Sequence, residues 1–251
     1  MTASETRAPD DTCAIAVMAK TPRPGFSKTR LCPPLTHEQA ASLSAAFLRD
    51  TTENLGAASL SVPITSYAAY APLGTESTLA PHLAAQTVCI LADGTLPAPA
   101  GVDGFGRSLW QAIKGPFDLG HAAACVLSSD TPTLPTEYLV AAAKTLLTGS
   151  DKRIVLGACD DGGYYLLGMR APYADLFRDI AWSTESVAAA TRTRAAELGL
   201  DIVELPSWYD VDDAASLGQL LLETHGYAAP FTRKTIARLG LDADLRRASA
   251  A

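Results

Sequence analysis

Short apolar runs alternate along this chain with longer stretches of helical spacing. Cys13 to Ala19 (CAIAVMA) is brief, wholly apolar and sharply ended, which reads as a buried strand. Thr36-His-Glu-Gln39 has the capping-box pattern and predicts a helix to about Leu55, with Ala40, Leu43, Ala46, Phe47 and Thr51 along one face. Val62 to Tyr70 predicts a second strand, Thr75 to Leu83 a short helix, and Thr87 to Leu91 a third strand. Asp93 to Asp103, rich in Gly, Pro and Ala, is a loop long enough to border an active site. Asp103 to Ser108 then leads into a helix over Leu109 to Lys114. Ala122 to Leu127 is a strong buried strand, followed by a helix from Pro135 and Thr136 to Leu147. Strands are predicted at Arg153 to Ala158, Tyr164 to Met169 and Ile202 to Leu205. Helices are predicted at Glu185 to Leu198, with Ser183 as cap, and at Ala214 to Glu223. Thr232 to Arg247 forms an amphipathic helix.

Strands and helices in alternation predict an α/β fold: a mostly parallel central sheet with helices on both faces, ligands binding at the carboxyl ends of the strands. A single domain over residues 12–223 is expected, with a disordered segment at 1–11 and a helical tail at 224–251. A hydrophobic content of 48% with 19% charged residues suits a globular enzyme and excludes a mostly disordered chain. The net charge of −7 gives no general attraction to nucleic acid or to an anionic membrane, so neither is an expected partner. No apolar run approaches the roughly 20 residues that span a bilayer. Met1 to Asp11 lacks the basic-then-apolar order of a secretion signal, and a cytoplasmic location is expected. The five cysteines are odd in number and widely spaced, and the four histidines are isolated, so neither a disulfide framework nor a zinc motif is expected.

Against that acidic background one loop stands out. Directly after the first strand, Lys20, Arg23, Lys28 and Arg30 occur without an intervening carboxylate, while Pro22, Pro24 and Gly25 force a tight turn. Backbone N–H groups and clustered cations there suit a polyphosphate; a solvated basic loop is the plainer alternative. Gly25-Phe-Ser-Lys28-Thr29 is not a P-loop, because Ser27 stands where that motif needs Gly. Asp130 follows the central strand and Pro132 stops the strand from continuing, which leaves its carboxylate at the sheet's ligand edge or in a simple turn. Asp210 and Asp212 alternate around Val211 and share a face if that segment is extended, with Asp213 facing away or capping the next helix. Carboxylates gathered from separate strands require a cation, and oxygen-only ligation beside a phosphate loop implies Mg²⁺ or Mn²⁺ on Asp130, Asp210 and Asp212. Asp160-Asp161-Gly162-Gly163-Tyr164 offers carboxylates and closely approachable backbone, or an ordinary turn between strands. Trp182, Ser183 and Thr184 form a weaker loop candidate.

Five ordered motifs carry a resemblance: Lys20-x-Pro22-x-Pro24-Gly25-x-x-Lys28-Thr29-Arg30-Leu31, Ser129-Asp130-Thr131-Pro132-x-Leu134-Pro135, Asp161-Gly162-Gly163-Tyr164-Tyr165-Leu166-Leu167-Gly168, Trp182-Ser183-Thr184 and Asp210-Val211-Asp212. Over about residues 13–220 the chain resembles the DUF2064 family of glycosyltransferase-A-like (GT-A) proteins. It departs from that pattern at Asp213, where the family usually has Thr, and at Val102 to Arg107. The resemblance implies a single-domain, Rossmann-like GT-A fold of the nucleotide-diphospho-sugar transferase type, whose members divide into nucleotidyltransferases and glycosyltransferases. Lys28-Thr29-Arg30-Leu31 is also similar to the corresponding loop of phospholactate guanylyltransferases. The favoured expectation is metal-dependent nucleotidyl transfer from a nucleoside triphosphate to a small phosphorylated or phosphonate acceptor. Lys28, Arg30 and Asp130 would be catalytic; Lys20, Arg23, Gly25, Lys28, Thr29 and Arg30 would bind the nucleotide phosphates. Asp161, Gly162, Gly163, Tyr164, Trp182, Ser183 and Thr184 would bind the acceptor. A glycosyltransferase using a nucleotide sugar is the second expectation, and a non-catalytic nucleotide-binding module the third.

Overall fold

A computed structural model describes residues 11–241. Seven strands, β1 (Cys13–Lys20), β2 (Ile64–Ala71), β3 (Val88–Leu91), β4 (Ala123–Leu127), β5 (Arg153–Cys159), β6 (Tyr164–Met169) and β7 (Asp201–Trp208), form one sheet in the order β3-β2-β1-β4-β6-β5-β7. Only β6 runs against its neighbours, pairing antiparallel with both β4 and β5, while the other pairings are parallel. The helices are α1 (His37–Ser59), α2 (Glu76–Leu79), α3 (Phe105–Asp118), α4 (Thr136–Leu147), α5 (Val187–Glu197), α6 (Ala214–Leu222) and α7 (Pro230–Arg238). This is the expected mostly parallel α/β arrangement, and the strand periodicity shows why. Cys13, Ile15 and Val17 pack on one face with Leu48 and Leu55 of α1 and Leu139 and Leu146 of α4. Ala14 and Ala16 face the other way, toward Trp110 and Ile113 of α3. A strand covered on both sides has no polar alternation to show, which is why β1 and β4 read as continuous apolar runs.

The boundaries move where tertiary contacts override local signals. β7 runs three residues beyond the expected Leu205, through Pro206, which is tolerated because β7 is the sheet's edge. α3 begins four residues before the expected start, so Phe105 and Ser108 are helical rather than loop. Gly104 makes the turn with φ 54°, and Gly106 permits contact with Trp182, whose Nε1 would lie 3.0 Å from an added Cβ. Ser183 does not cap α5. It has φ 64°, and Ser186 occupies the cap position without a capping bond from its side chain, which pairs instead with Thr184 Oγ1 at 2.8 Å. Thr36 and Gln39 do make the reciprocal bonds of a capping box. The expected helix from Thr232 to Arg247 starts at Pro230 and ends at Arg238, just before Gly240 turns with φ 67°; the stretch beyond residue 241, like the segment at 1–10, lies outside the described residues. Among the described residues no helix is long and apolar enough to cross a membrane.

α1 carries two buried polar staples. The Asn54 side chain donates to Leu134 O at 2.7 Å and accepts from Thr136 Oγ1 at 2.6 Å, fixing the start of α4. Asp50, fully buried, accepts from Phe231 N at 3.1 Å and Thr232 N at 2.6 Å. These are the free N–H groups of the first turn of α7, whose N1 residue is a proline with no donor to satisfy. Asp50→Ala should therefore destabilise the protein by about 1–3 kcal/mol, since one buried and one partly buried donor lose their acceptor. Urea denaturation would check this, and an unchanged midpoint would show that the carboxylate does not hold α7.

Candidate active site

Three segments far apart in sequence meet beyond the carboxyl ends of β1 and β4. The loop after β1 is anchored by buried Ser27, whose Oγ accepts from Arg23 N at 3.0 Å, and by Leu31 in a hydrophobic cluster with Phe47 and Val211. Between those anchors Lys28 adopts a left-handed conformation, φ 51° and ψ 41°. Non-glycine residues rarely adopt it, and such strain persists only where the surroundings enforce it. The enforcement is visible. Lys28 Nζ lies 2.7 Å from Asp130 Oδ1 and donates to Asp212 Oδ1 at 2.8 Å and to Val211 O at 2.8 Å. Only 7% of the side chain is exposed. Three donors thus have three acceptors. Burial alone would lower the pKa of this ammonium, but the adjacent Asp130 and Asp212 outweigh it and hold the group above its usual value.

The main chain locks the same three segments. Val211 N donates to Asp130 O at 2.8 Å, while the carbonyl of Val211 accepts from Lys28. Asp213 caps α6 in a box with Ser216, whose hydroxyl also accepts from Asp212 N at 3.1 Å. Asp213 is thus a structural residue of the following helix.

A cavity of about 470 Å³ opens beside Lys28. Lys20, Lys28, Thr29, Arg30, Asp130 and Asp212 line one side; Ala69, Ala71 and Ala92, at the ends of β2 and β3, leave room on the other. Exposed Arg30 pairs with Asp212 Oδ2 at 3.3 Å. Arg23 and Gly25 are not in the wall: the Arg23 guanidinium stacks on Phe26 at 4.7 Å, and Gly25 (φ 77°) shapes the turn. Sequence reasoning missed Phe26, Ser44, Phe105 and Ser108, which also line the cavity. The last two were hidden by the late start assigned to α3, and Ser44 by its place on α1, a helix read only for its apolar face.

Asp210 groups elsewhere. Its carboxylate lies with Cys159 and Asp161, one ligand atom from each being within 4.8 Å of the others. Burial, then the carboxylates of Asp161, Asp212 and Asp130, push the Asp210 pKa up to about 6. Four carboxylates thus share a neighbourhood in which Lys28 and Arg30 supply two positive charges. Such an excess of oxygen-borne negative charge fits a divalent cation such as Mg²⁺ or Mn²⁺.

The expected acceptor residues are dispersed. Tyr164 lines the cavity, and its buried hydroxyl has no hydrogen-bond partner among the described residues. Asp161 accepts from Gly163 N at 2.8 Å, closing the hairpin turn between β5 and β6. Gly162 lies against the Glu185 backbone, and its carbonyl accepts from Ala188 N at 2.9 Å. Trp182 meets Phe105 edge-on at 5.7 Å, and Thr184 Oγ1 donates to Ala181 O at 2.7 Å within its own loop. Trp182, Ser183 and Thr184 are therefore outside the cavity wall, and Trp182 supports it through Phe105.

Comparisons with known proteins agree with this architecture. The family model described as an uncharacterized protein conserved in bacteria (DUF2064) matches residues 67–184. A crystal structure of a candidate nucleotide-diphospho-sugar transferase from Desulfovibrio desulfuricans G20 is similar over 95% of this chain and 98% of its own, at 25% identity and a TM-score of 0.76. CMP:2-keto-3-deoxy-manno-octonic acid synthetase complexed with CTP is similar in fold over 83% of this chain and 96% of its own, at 11% identity and a TM-score of 0.51. No curated protein matches the sequence.

Proposed function

We propose that the chain, whose residues 67–184 match the DUF2064 family model and whose fold is nucleotide-diphospho-sugar transferase-like, is a metal-dependent nucleotidyltransferase. It would move a nucleoside monophosphate from a triphosphate to a small phosphorylated or phosphonate acceptor. The observation that carries this reading is the meeting of Lys20, Lys28 and Arg30 with Asp130 and Asp212 in one cavity of nucleotide size. Asp130 and Asp212 would hold Mg²⁺ or Mn²⁺, with Asp210 adding negative charge behind them. The ion, when bound, supplies charge neutralisation on the phosphate oxygens. Lys20 and Arg30, with Gly25 and Thr29 shaping their loop, would hold the outer phosphates, and Arg23 would approach from the rim. Lys28 keeps the two carboxylates in register and presents positive charge where pyrophosphate departs. The acceptor's phosphate oxygen attacks the α-phosphorus as the bond to pyrophosphate breaks, so no protein nucleophile is needed. The Tyr164 hydroxyl, which has no hydrogen-bond partner among the described residues, would orient the acceptor, with Asp161 and Gly163 of the adjacent turn.

Glycosyl transfer from a nucleotide sugar is favoured instead by the likeness to the candidate nucleotide-diphospho-sugar transferase. Thermal melting against nucleoside triphosphates and nucleotide sugars, with and without Mg²⁺ or Mn²⁺, separates the two. A ligand at 100 times its Kd adds about 2.7 kcal/mol, a shift of several degrees. Metal-dependent stabilisation by a triphosphate, lost in Asp130→Asn, is the expected result. Stabilisation by a nucleotide sugar and its diphosphate alone would transfer the assignment to glycosyl transfer, and no shift with either would overturn both.

A further inference from the structure

The buried thiols of this protein occupy two unlike environments. Cys13 and Cys125 face each other across β1 and β4, 3.8 Å apart within the apolar core, as small hydrophobic residues do. Cys159, at the end of β5, is also buried, with 9% exposure, yet its sulfur lies beside the carboxylates of Asp161 and Asp210. No hydrogen bond engages that sulfur among the described residues, and Asp210 has no ion-pair partner among them. The placement is built into the strand. The registers of β5 with β6 and with β7 both shift just after Gly157, and such bulges re-aim the side chains that follow. Gly157 makes room there for the Tyr165 ring, which an added Cβ would meet at 2.2 Å.

We propose that Cys159, Asp161 and Asp210 form a second cation site that takes a borderline transition ion such as Zn²⁺ or Co²⁺. One sulfur and two oxygens form a softer donor set than the all-oxygen pair of Asp130 and Asp212, so the two sites select different ions. Ligand atoms around a tetrahedral ion of this kind stand about 3.5 Å apart. The three ligand atoms here lie within 4.8 Å of one another, so an ion has only to draw them together, and Asp161 is exposed on its turn. Binding exchanges the thiol proton, released to solvent, for the metal–sulfur bond, and three protein ligands leave a fourth position for water. An ion held there ties the β5–β6 turn to the segment that carries Asp212.

Titration of the full chain with Co²⁺ tests the site, because a thiolate ligand gives a near-ultraviolet charge-transfer band. One equivalent should produce the band in the unmodified protein and in Asp130→Asn. Cys159→Ser should abolish it, and Asp161→Asn should weaken Co²⁺ binding at least tenfold, on the order of the loss of one ligand. Absence of the band in the folded protein, or its survival in Cys159→Ser through another thiol such as Cys32, would overturn the proposal. If Cys159→Ser fails to fold, Asp161→Asn decides, and undiminished Co²⁺ binding by that variant rejects the site.

Discussion

Lys28→Met should reduce kcat/KM for the nucleotide found by melting by at least about 10³-fold, while the protein still folds. Among the described residues, Lys28 is the one cation that contacts both Asp130 and Asp212, and on the proposed function it would sit where charge builds on the leaving phosphates. Removing a single preorganised charge or donor from such a position costs roughly 10²–10³ in rate. Here the loss is larger because the two carboxylates, no longer bridged, repel each other and the incoming phosphates. The same substitution should cost on the order of 2 kcal/mol of stability. That lies below the value for a fully buried pair, since both carboxylates remain about a third exposed. Lys28→Arg should not restore activity, because a planar fork cannot reproduce three donors converging from one atom. Steady-state kinetics and urea denaturation measure the two effects separately. Turnover within threefold of the unmodified protein would remove Lys28 from the catalytic machinery, whatever the stability result.

Gly162→Ala should cost about 3 kcal/mol or more, one of the largest losses expected of any single methyl group in this chain. Gly162 has φ 88°, and a Cβ there would lie 2.1 Å from the carbonyl oxygen of Glu185, a backbone atom that cannot swing aside. Left-handed strain and the steric conflict add, and the Ala188-to-Gly162 bond that docks the turn on α5 is lost with them. Gly163→Ala is the control. Its Cβ would meet only the Asp161 side chain, at 3.1 Å, which can rotate, so the expected cost is below about 1 kcal/mol. Comparable melting temperatures for the two variants would contradict this account of the turn.

The paired glycines illustrate what the sequence reveals and what it withholds. Gly-Gly after two aspartates marks a place of close backbone approach, and the approach is real, but the backbone that comes close at Gly162 is the protein's own. Local signals with a fixed physical cause were legible: the apolar runs of β1 and β4, the Thr36–Gln39 box, and the position of Asp130 beyond β4. The cluster of cations after β1 was also legible, because charge without compensation in an acidic chain is conspicuous. The exposed Arg23, by contrast, turns its charge onto Phe26, a contact that depends on the shape of the loop. Asp210 and Asp212 were read as a pair by their alternation, yet Asp212 engages Lys28 while Asp210 groups with Cys159. That division depends on a bulge in β5, which no spacing rule marks.

Because Val211 links Asp130 and Lys28 through its main chain, the charged centre does not exist in any leading portion of the polypeptide. During synthesis from the amino end, Lys28 and Asp130 emerge and can take up their strands well before residue 211 leaves the ribosome. Until then the lysine lacks two of its three acceptors, and the carboxylates that would draw in a cation are incomplete. A nascent chain can therefore hold most of its sheet while this charged centre is still unformed. The centre is completed late and all at once, with the stretch that joins β7 to α6.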